Sequence, residues 1–305
     1  MFILRRPKQS SMETLPTKKS QRLFRPSTTR TRVHGSMAAL FVCTSVVDGC
    51  TVATAYDVST GDEVIRVELG ERVKDVVLSP ADGEYLAVIT PENLTIRTLP
   101  SLEVKSSMEW SVCNPTVAIS ADNQYIAVGG RNTAMWKSEA GGVLQLFSLD
   151  TLEAIYTNDS LDSPVDNVEF SRSSSTATTT KIILVAAQEH GLSFFSVPDM
   201  TLIRQIDDAV YSIRDLIFLS PETLIQANGK EITAFTSSTS TTTPDSSHHP
   251  VKIADDVTLH TSTLALSPDS TMLASSGDEN SVRIFETATW GVVRAVFLVT
   301  MRFDR

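Results

Sequence analysis

From residue 38 onward, apolar and polar positions alternate with a period of two, in short runs that stop at clusters of Gly, Pro, Asn, Asp and Ser. A period of two puts successive side chains on opposite faces, which is the signature of strands. The runs fall into groups. The most regular group predicts strands at residues 73–78, 85–89, 94–98 and 103–106, with a Ser-Pro turn at 79–83. A second predicts strands at 116–123, 125–130 and 143–148, a third at 165–170, 182–187 and 192–196, and a weaker one at 213–219, 223–226 and 232–235. The last runs from 262 to 286, and the first, at 40–46, 51–56 and 63–68, lacks the inner strand that opens the others.

The serines that close the opening strand, Ser79, Ser120, Ser171, Ser220 and Ser267, are 41, 51, 49 and 47 residues apart. A four-stranded propeller blade takes about 40–45 residues, and intervening loops account for the excess. Helical solenoids of similar period are excluded, because the runs alternate strictly and are punctuated by turn residues. The predicted fold is an all-β propeller of six to seven four-stranded blades at residues 38–305, with Ser/Thr-rich loops at 171–180 and 236–250. Those loops lack apolar residues to bury. Two outcomes stay open for the ring: residues 298–305 supply the strand that the first unit lacks, or the chain is a fragment of a longer propeller without an independent role.

The segment from Ser262 to Ser270 followed by Leu273 to Glu286 resembles the WD-repeat consensus. In that family a repeat ends in Trp-Asp; here Phe285-Glu286 stands in that place, and Tyr56-Asp57, Phe147-Ser148 and Phe195-Ser196 stand there in other units. Glu279 takes the position of the turn aspartate, and no unit has the Gly-His pair in register. The resemblance implies a noncatalytic scaffold or adaptor that holds other proteins in a multiprotein complex. Its departures imply that apolar packing and strand pairing carry more of the stability than a regular polar network does.

Charge changes the picture at one boundary. Residues 1–37 hold nine Lys or Arg against the single acid Glu13, for +8, and the rest of the chain carries −18. An acidic body has no cationic excess with which to displace counterions from nucleic acid, so any such contact falls to the basic segment. That segment reads three ways: a disordered basic extension that aids nuclear entry, a mitochondrial presequence interrupted by Pro7, Pro16 and Pro26, or sequence upstream of a true start at Met37. No apolar run reaches the roughly 18 residues that a membrane span needs. The expected compartment is the cytoplasm or nucleus. Cys43 and Cys50 flank Asp48-Gly49, a dipeptide suited to a two-residue hairpin that pairs Val47 with Cys50 and keeps the thiols apart; these cysteines and Cys113 read as small buried apolar residues.

Candidate chemistry is sparse. His34, His190, His248, His249 and His260 lack metal-type spacing, and Glu189-His190-Gly191 falls on an expected turn. Gly129-Gly130 and Gly141-Gly142 bracket an insertion that no helix follows, which reads as a strand connection and not as a phosphate loop. A propeller enzyme of the quinoprotein or lactonase kind would need convergent polar residues around its channel; Asp75, Asp166, Asn167 and Asp215 read as scattered, without matched spacing. The sequence therefore points to no catalytic residue, metal, cofactor or small-molecule substrate. The expected partner-binding residues are Arg131, Trp136 and Lys137 in the insertion and Trp110 in the 110–114 connection, because Trp and Arg are the commonest interface anchors. Thr243, before Pro244, is the candidate phosphorylation site.

Overall fold

The computed structural model describes residues 40–47, 49–57, 60, 62–80, 83–132, 141–172, 182–188, 191–207, 213–220, 222–228, 231–236, 251–255, 261–267, 269–277 and 281–297. Every described element is a strand, and the strands form six antiparallel sheets, five of four strands and one of three. They are the blades of a β-propeller, numbered here in chain order.

Blade 1 runs β1 (Leu40–Val47), β2 (Cys50–Asp57) and β3 (Glu63–Glu71). Blade 2 runs β4 (Asp75–Leu78), β5 (Tyr85–Ile89), β6 (Asn93–Thr98) and β7 (Val104–Glu109). Blade 3 runs β8 (Val112–Ile119), β9 (Tyr125–Asn132), β10 (Gly142–Ser148) and β11 (Ala154–Leu161). Blade 4 runs β12 (Val165–Phe170), β13 (Ile182–Gln188), β14 (Gly191–Val197) and β15 (Thr201–Asp207). Blade 5 runs β16 (Asp215–Ser220), β17 (Thr223–Ala227), β18 (Glu231–Thr236) and β19 (Val251–Asp255). Blade 6 runs β20 (Thr261–Leu266), β21 (Met272–Gly277), β22 (Ser281–Glu286) and β23 (Val292–Phe297).

The expected strands of all six units are present, and the outer strands β11, β15, β19 and β23 join them. Blade 1 lacks an inner strand among the described residues, as its sequence predicts, and the segments weighed for its completion and for the basic extension, 298–305 and 1–37, lie outside the described residues. So do Glu189, His190, His248, His249 and most of both Ser/Thr-rich loops.

Alternation gives each blade two apolar faces, one toward each neighbour. In blade 2, Leu78, Leu86 and Val88 pack against Ala53 and Ala55 of blade 1, while Val77, Ala87 and Ile89 pack against Val117 and Val128 of blade 3. Three further boundaries repeat this, so the core is a series of apolar layers between blades. Burial falls from the inner strand outward. All four residues of β4 are buried, whereas β7 alternates between exposed and half-buried.

Two turns recur because short polar groups close them. The serine that ends an inner strand accepts the N–H that starts the next strand: Tyr85 to Ser79 Oγ at 3.1 Å, Tyr125 to Ser120 at 2.9 Å, Ile183 to Ser171 at 2.9 Å and Met272 to Ser267 at 2.9 Å. In blades 3 and 6 that hydroxyl donates at 2.6 Å to an aspartate two residues on, Asp122 and Asp269. The turn into the outer strand places Leu102, Leu152, Met200 and Trp290 in the left-handed region, with φ between 51° and 57°. Each returns its N–H to a carbonyl four residues back, on Thr98, Ser148, Ser196 and Glu286, at 2.7 to 2.9 Å. Leu102 and Met200 are then buried, so packing offsets a backbone state that costs about 1–2 kcal/mol. The aromatic residue just before this turn in blades 3, 4 and 6 (Phe147, Phe195, Phe285) sits opposite Ile126, Leu184 and Leu273 and is buried.

Candidate functional site

The inner strands β4, β8, β12, β16 and β20 carry polar residues at one level. These are Asp75, Thr116, Asn167, Asp215 and Thr263, and the first four are 3%, 3%, 0% and 4% exposed. A carboxylate taken from water this completely is costly unless its lone pairs are satisfied. Asp75 accepts the N–H of Val76 at 3.0 Å on Oδ1, and on Oδ2 the N–H of Val117 at 3.2 Å and the hydroxyl of Thr116 at 3.4 Å. Asp215 accepts the N–H of Leu216 at 3.0 Å and Asn167 Nδ2 at 3.3 Å on Oδ1, and the N–H of Leu264 at 2.8 Å on Oδ2. Each carboxylate therefore bridges a blade boundary: blades 2 and 3 for Asp75, and blades 4, 5 and 6 for Asp215.

This corrects the expectation that Asp75, Asn167 and Asp215 are scattered; of the residues considered, only Asp166 is exposed. The periodicity was visible from the turn serines. Asp75, Thr116, Asn167 and Thr263 each precede theirs by four residues, and Asp215 precedes Ser220 by five because the pairing of β16 with β17 shifts register between Phe218 and Ser220. At the end of the inner strands where those serines lie, Arg172 Nη1 donates to Ser270 Oγ at 3.1 Å, joining blade 4 to blade 6. Burial lowers the pKa of this guanidinium, while Glu169 pulls it the other way. Among the described residues, no three His, Cys, Asp or Glu side chains gather where they could hold a metal ion.

The expected partner-binding residues divide. Arg131 is exposed at the end of β9, paired with Gly142 on one side and Cys113 on the other. Trp136 and Lys137 lie outside the described residues, as does Thr243. Trp110 is not a surface anchor: it is 8% exposed and packs edge-to-face on Phe147, ring centroids 5.7 Å apart. The connection that seemed free to contact a partner is held back on blade 2, since Trp110 N–H donates to Glu92 O at 2.7 Å. Its indole Nε1 is buried without a partner. The cysteine expectation is corrected too, with Cys50 half-buried and Cys113 exposed, although Val47 pairs with Cys50 as the Asp48-Gly49 hairpin predicts.

Gly129 and Gly130 serve packing. A Cβ on Gly129 would overlap Val165 of blade 4, and one on Gly130 would overlap Val112 of β8, so Gly129 lets blade 4 approach blade 3 closely and Gly130 makes room for Val112 within blade 3.

No protein-family model and no curated protein matches the sequence. Among solved structures, 1458 chains match, which makes the fold too widely used to indicate a function. One is a chain of Kuenenia stuttgartiensis hydrazine synthase, 12% identical, with a TM-score of 0.62 over 83% of this chain and 75% of that one. At that identity the likeness concerns the fold alone. No helix among the described residues is long and apolar enough to cross a membrane.

Proposed function

We propose that this chain is a degenerate WD-repeat propeller that acts as a noncatalytic scaffold, holding other proteins in a multiprotein complex in the cytoplasm or nucleus. The observation that carries this reading is the use of the buried polar level. A propeller enzyme needs convergent polar side chains turned toward a ligand. Here the Asp75 and Asp215 carboxylates are bonded to backbone and side chains of neighbouring blades, which suits a rigid frame. Phe147, Phe195 and Phe285 are buried just before the turn into the outer strand, which supports the WD-repeat reading. The eight exposed large aliphatic residues among the described ones all lie on outer strands, near their starts: Val64, Val104, Ile155, Leu202, Ile203, Val251, Val292 and Val293. They leave an apolar side chain open to solvent on every blade, where a partner protein would reach it. Nucleic acid enters only through the basic segment 1–37.

Affinity purification of the tagged full chain from its own cells, followed by mass spectrometry, tests the reading. A reproducible, stoichiometric set of proteins is the expected result. Saturable thermal stabilisation by calcium, another metal or a quinone, with no protein partners recovered, would favour a ligand-binding enzyme instead.

A further inference from the structure

A cleft of about 430 Å³ opens between β3 of blade 1 and the facing side of blade 2. Leu69 and Val88 give it an apolar lining, and its two ends carry opposite charge. Arg97 stands at one end. One Nη of its guanidinium donates to Leu102 O at 2.7 Å, and its Nε is buried with no partner. Burial lowers its pKa, and no carboxylate counters that shift. At the other end are Glu71 and Glu92, with Arg72 paired to Glu92, which leaves a net charge of −1. Four residues of β6 separate Arg97 from Asn93 at the acidic end, about 13 Å at strand rise. Between them Thr95 and Ser107 line the cleft, their hydroxyls 3.1 Å apart.

A half-buried cationic group facing no acid, an acidic end, and a strand-length trough between them define the shape of an occupant. We propose that this cleft receives an extended peptide segment of about four residues, with a carboxylate at Arg97 and a basic side chain at Glu71. Arg97 binds the carboxylate through N–H donors that the chain itself leaves without an acid. Glu71 takes the cation, because Glu92 is already engaged by Arg72. The apolar lining accepts the central side chains, and the hydroxyls of Thr95 and Ser107 accept or donate to the peptide backbone. The proposal deepens the scaffold reading and rests on it in one respect: the occupant is a stretch of a partner protein and not a metabolite.

Fluorescence anisotropy on the full chain tests it, with a labelled, end-blocked Lys-Val-Val-Asp peptide and the neutral Gln-Val-Val-Asn as control. Saturable binding of the first and none of the second is expected, weakened about tenfold or more by Arg97→Gln, since a hydrogen bond to a charged group carries that much. Glu71→Gln should weaken it about threefold, the scale of an exposed ion pair. Glu71 is exposed at a strand end, so this second variant keeps the test valid if Arg97→Gln does not fold. No saturable binding of the dipolar peptide, or equal binding by a folded Arg97→Gln protein and by Glu71→Gln, overturns the proposal. Affinity purification of the same variants separates the two readings. If both recover the full set of wild-type partners, the cleft is not the docking site and the scaffold reading stands; if the wild type recovers no partners, the scaffold reading falls, and the titration still decides the cleft.

Discussion

At the residue scale, the chain spends its few buried charges on holding blades together. Asp215 is the clearest case, since its loss takes the carboxylate acceptor from two groups of neighbouring blades at once, the Leu264 N–H and the Asn167 amide. An unsatisfied buried donor costs about 1–3 kcal/mol. Asp215→Ala should therefore lower unfolding stability by about 2–5 kcal/mol, as read from the urea midpoint. Asp269 gives a pH test. The Ser267 hydroxyl, then the N–H and hydroxyl of Thr271, hold its carboxyl below the ordinary aspartate range. A lowered folded-state value means that the stabilisation is complete above the ordinary carboxylate range and is lost as pH falls through the folded value. Ser267→Ala should move the Asp269 titration upward, which carboxyl-carbon NMR would detect. The turn serines were legible in the sequence as a spaced series. The buried level behind them was not, because Asp, Thr and Asn at equivalent places look unrelated until they are counted back from the serine, and the bulge at Phe218 displaces Asp215 by one.

At the element scale, the middle strands are shaped by what they must not carry. Gly129 in β9 faces Val165 and Val168, and its strand neighbour on β10 is Leu144. Gly129→Val should destabilise the protein by about 1–3 kcal/mol through overpacking, and should be partly rescued by Val165→Ala, which thermal melts of the single and double variants would show. Inner and middle strands were read well from the sequence, since their period-two apolar runs are bounded by strong turn signals. Outer strands such as β11 (AIYTNDSL) and β15 (TLIRQID) were harder to see. They are exposed on one edge and bury little, so selection for alternation is weak there. The turns that lead into them hide as well, because nothing in a leucine or methionine announces the left-handed backbone that Leu102, Leu152 and Met200 adopt. Trp110 misled for the related reason that a large aromatic in a connection looks like an anchor when its ring is part of the boundary between blades 2 and 3.

At the scale of the molecule, burial declines from the inner strands to the rim, and local stability should follow it. Amide hydrogens of β4, β8, β12 and β16 should exchange later than those of β7, β11 and β15 in native-state exchange followed by mass spectrometry, because opening an outer strand exposes little apolar surface. The contacts at the polar level also have a fixed donor-to-acceptor sense, with Asn167 of blade 4 and the Leu264 N–H of blade 6 both giving to Asp215 of blade 5. That polarity bears on how such a chain can lengthen by copying whole repeats. A duplicate of blade 4 would set one amide beside another, and amides are complementary to themselves. A duplicate of blade 5 would set two buried carboxylates side by side, which repel. Tandem duplication is thus less costly for blade 4 than for blade 5 unless the same event replaces the acid, so one hydrogen-bonded level bears on which repeats can be copied as well as on how they pack.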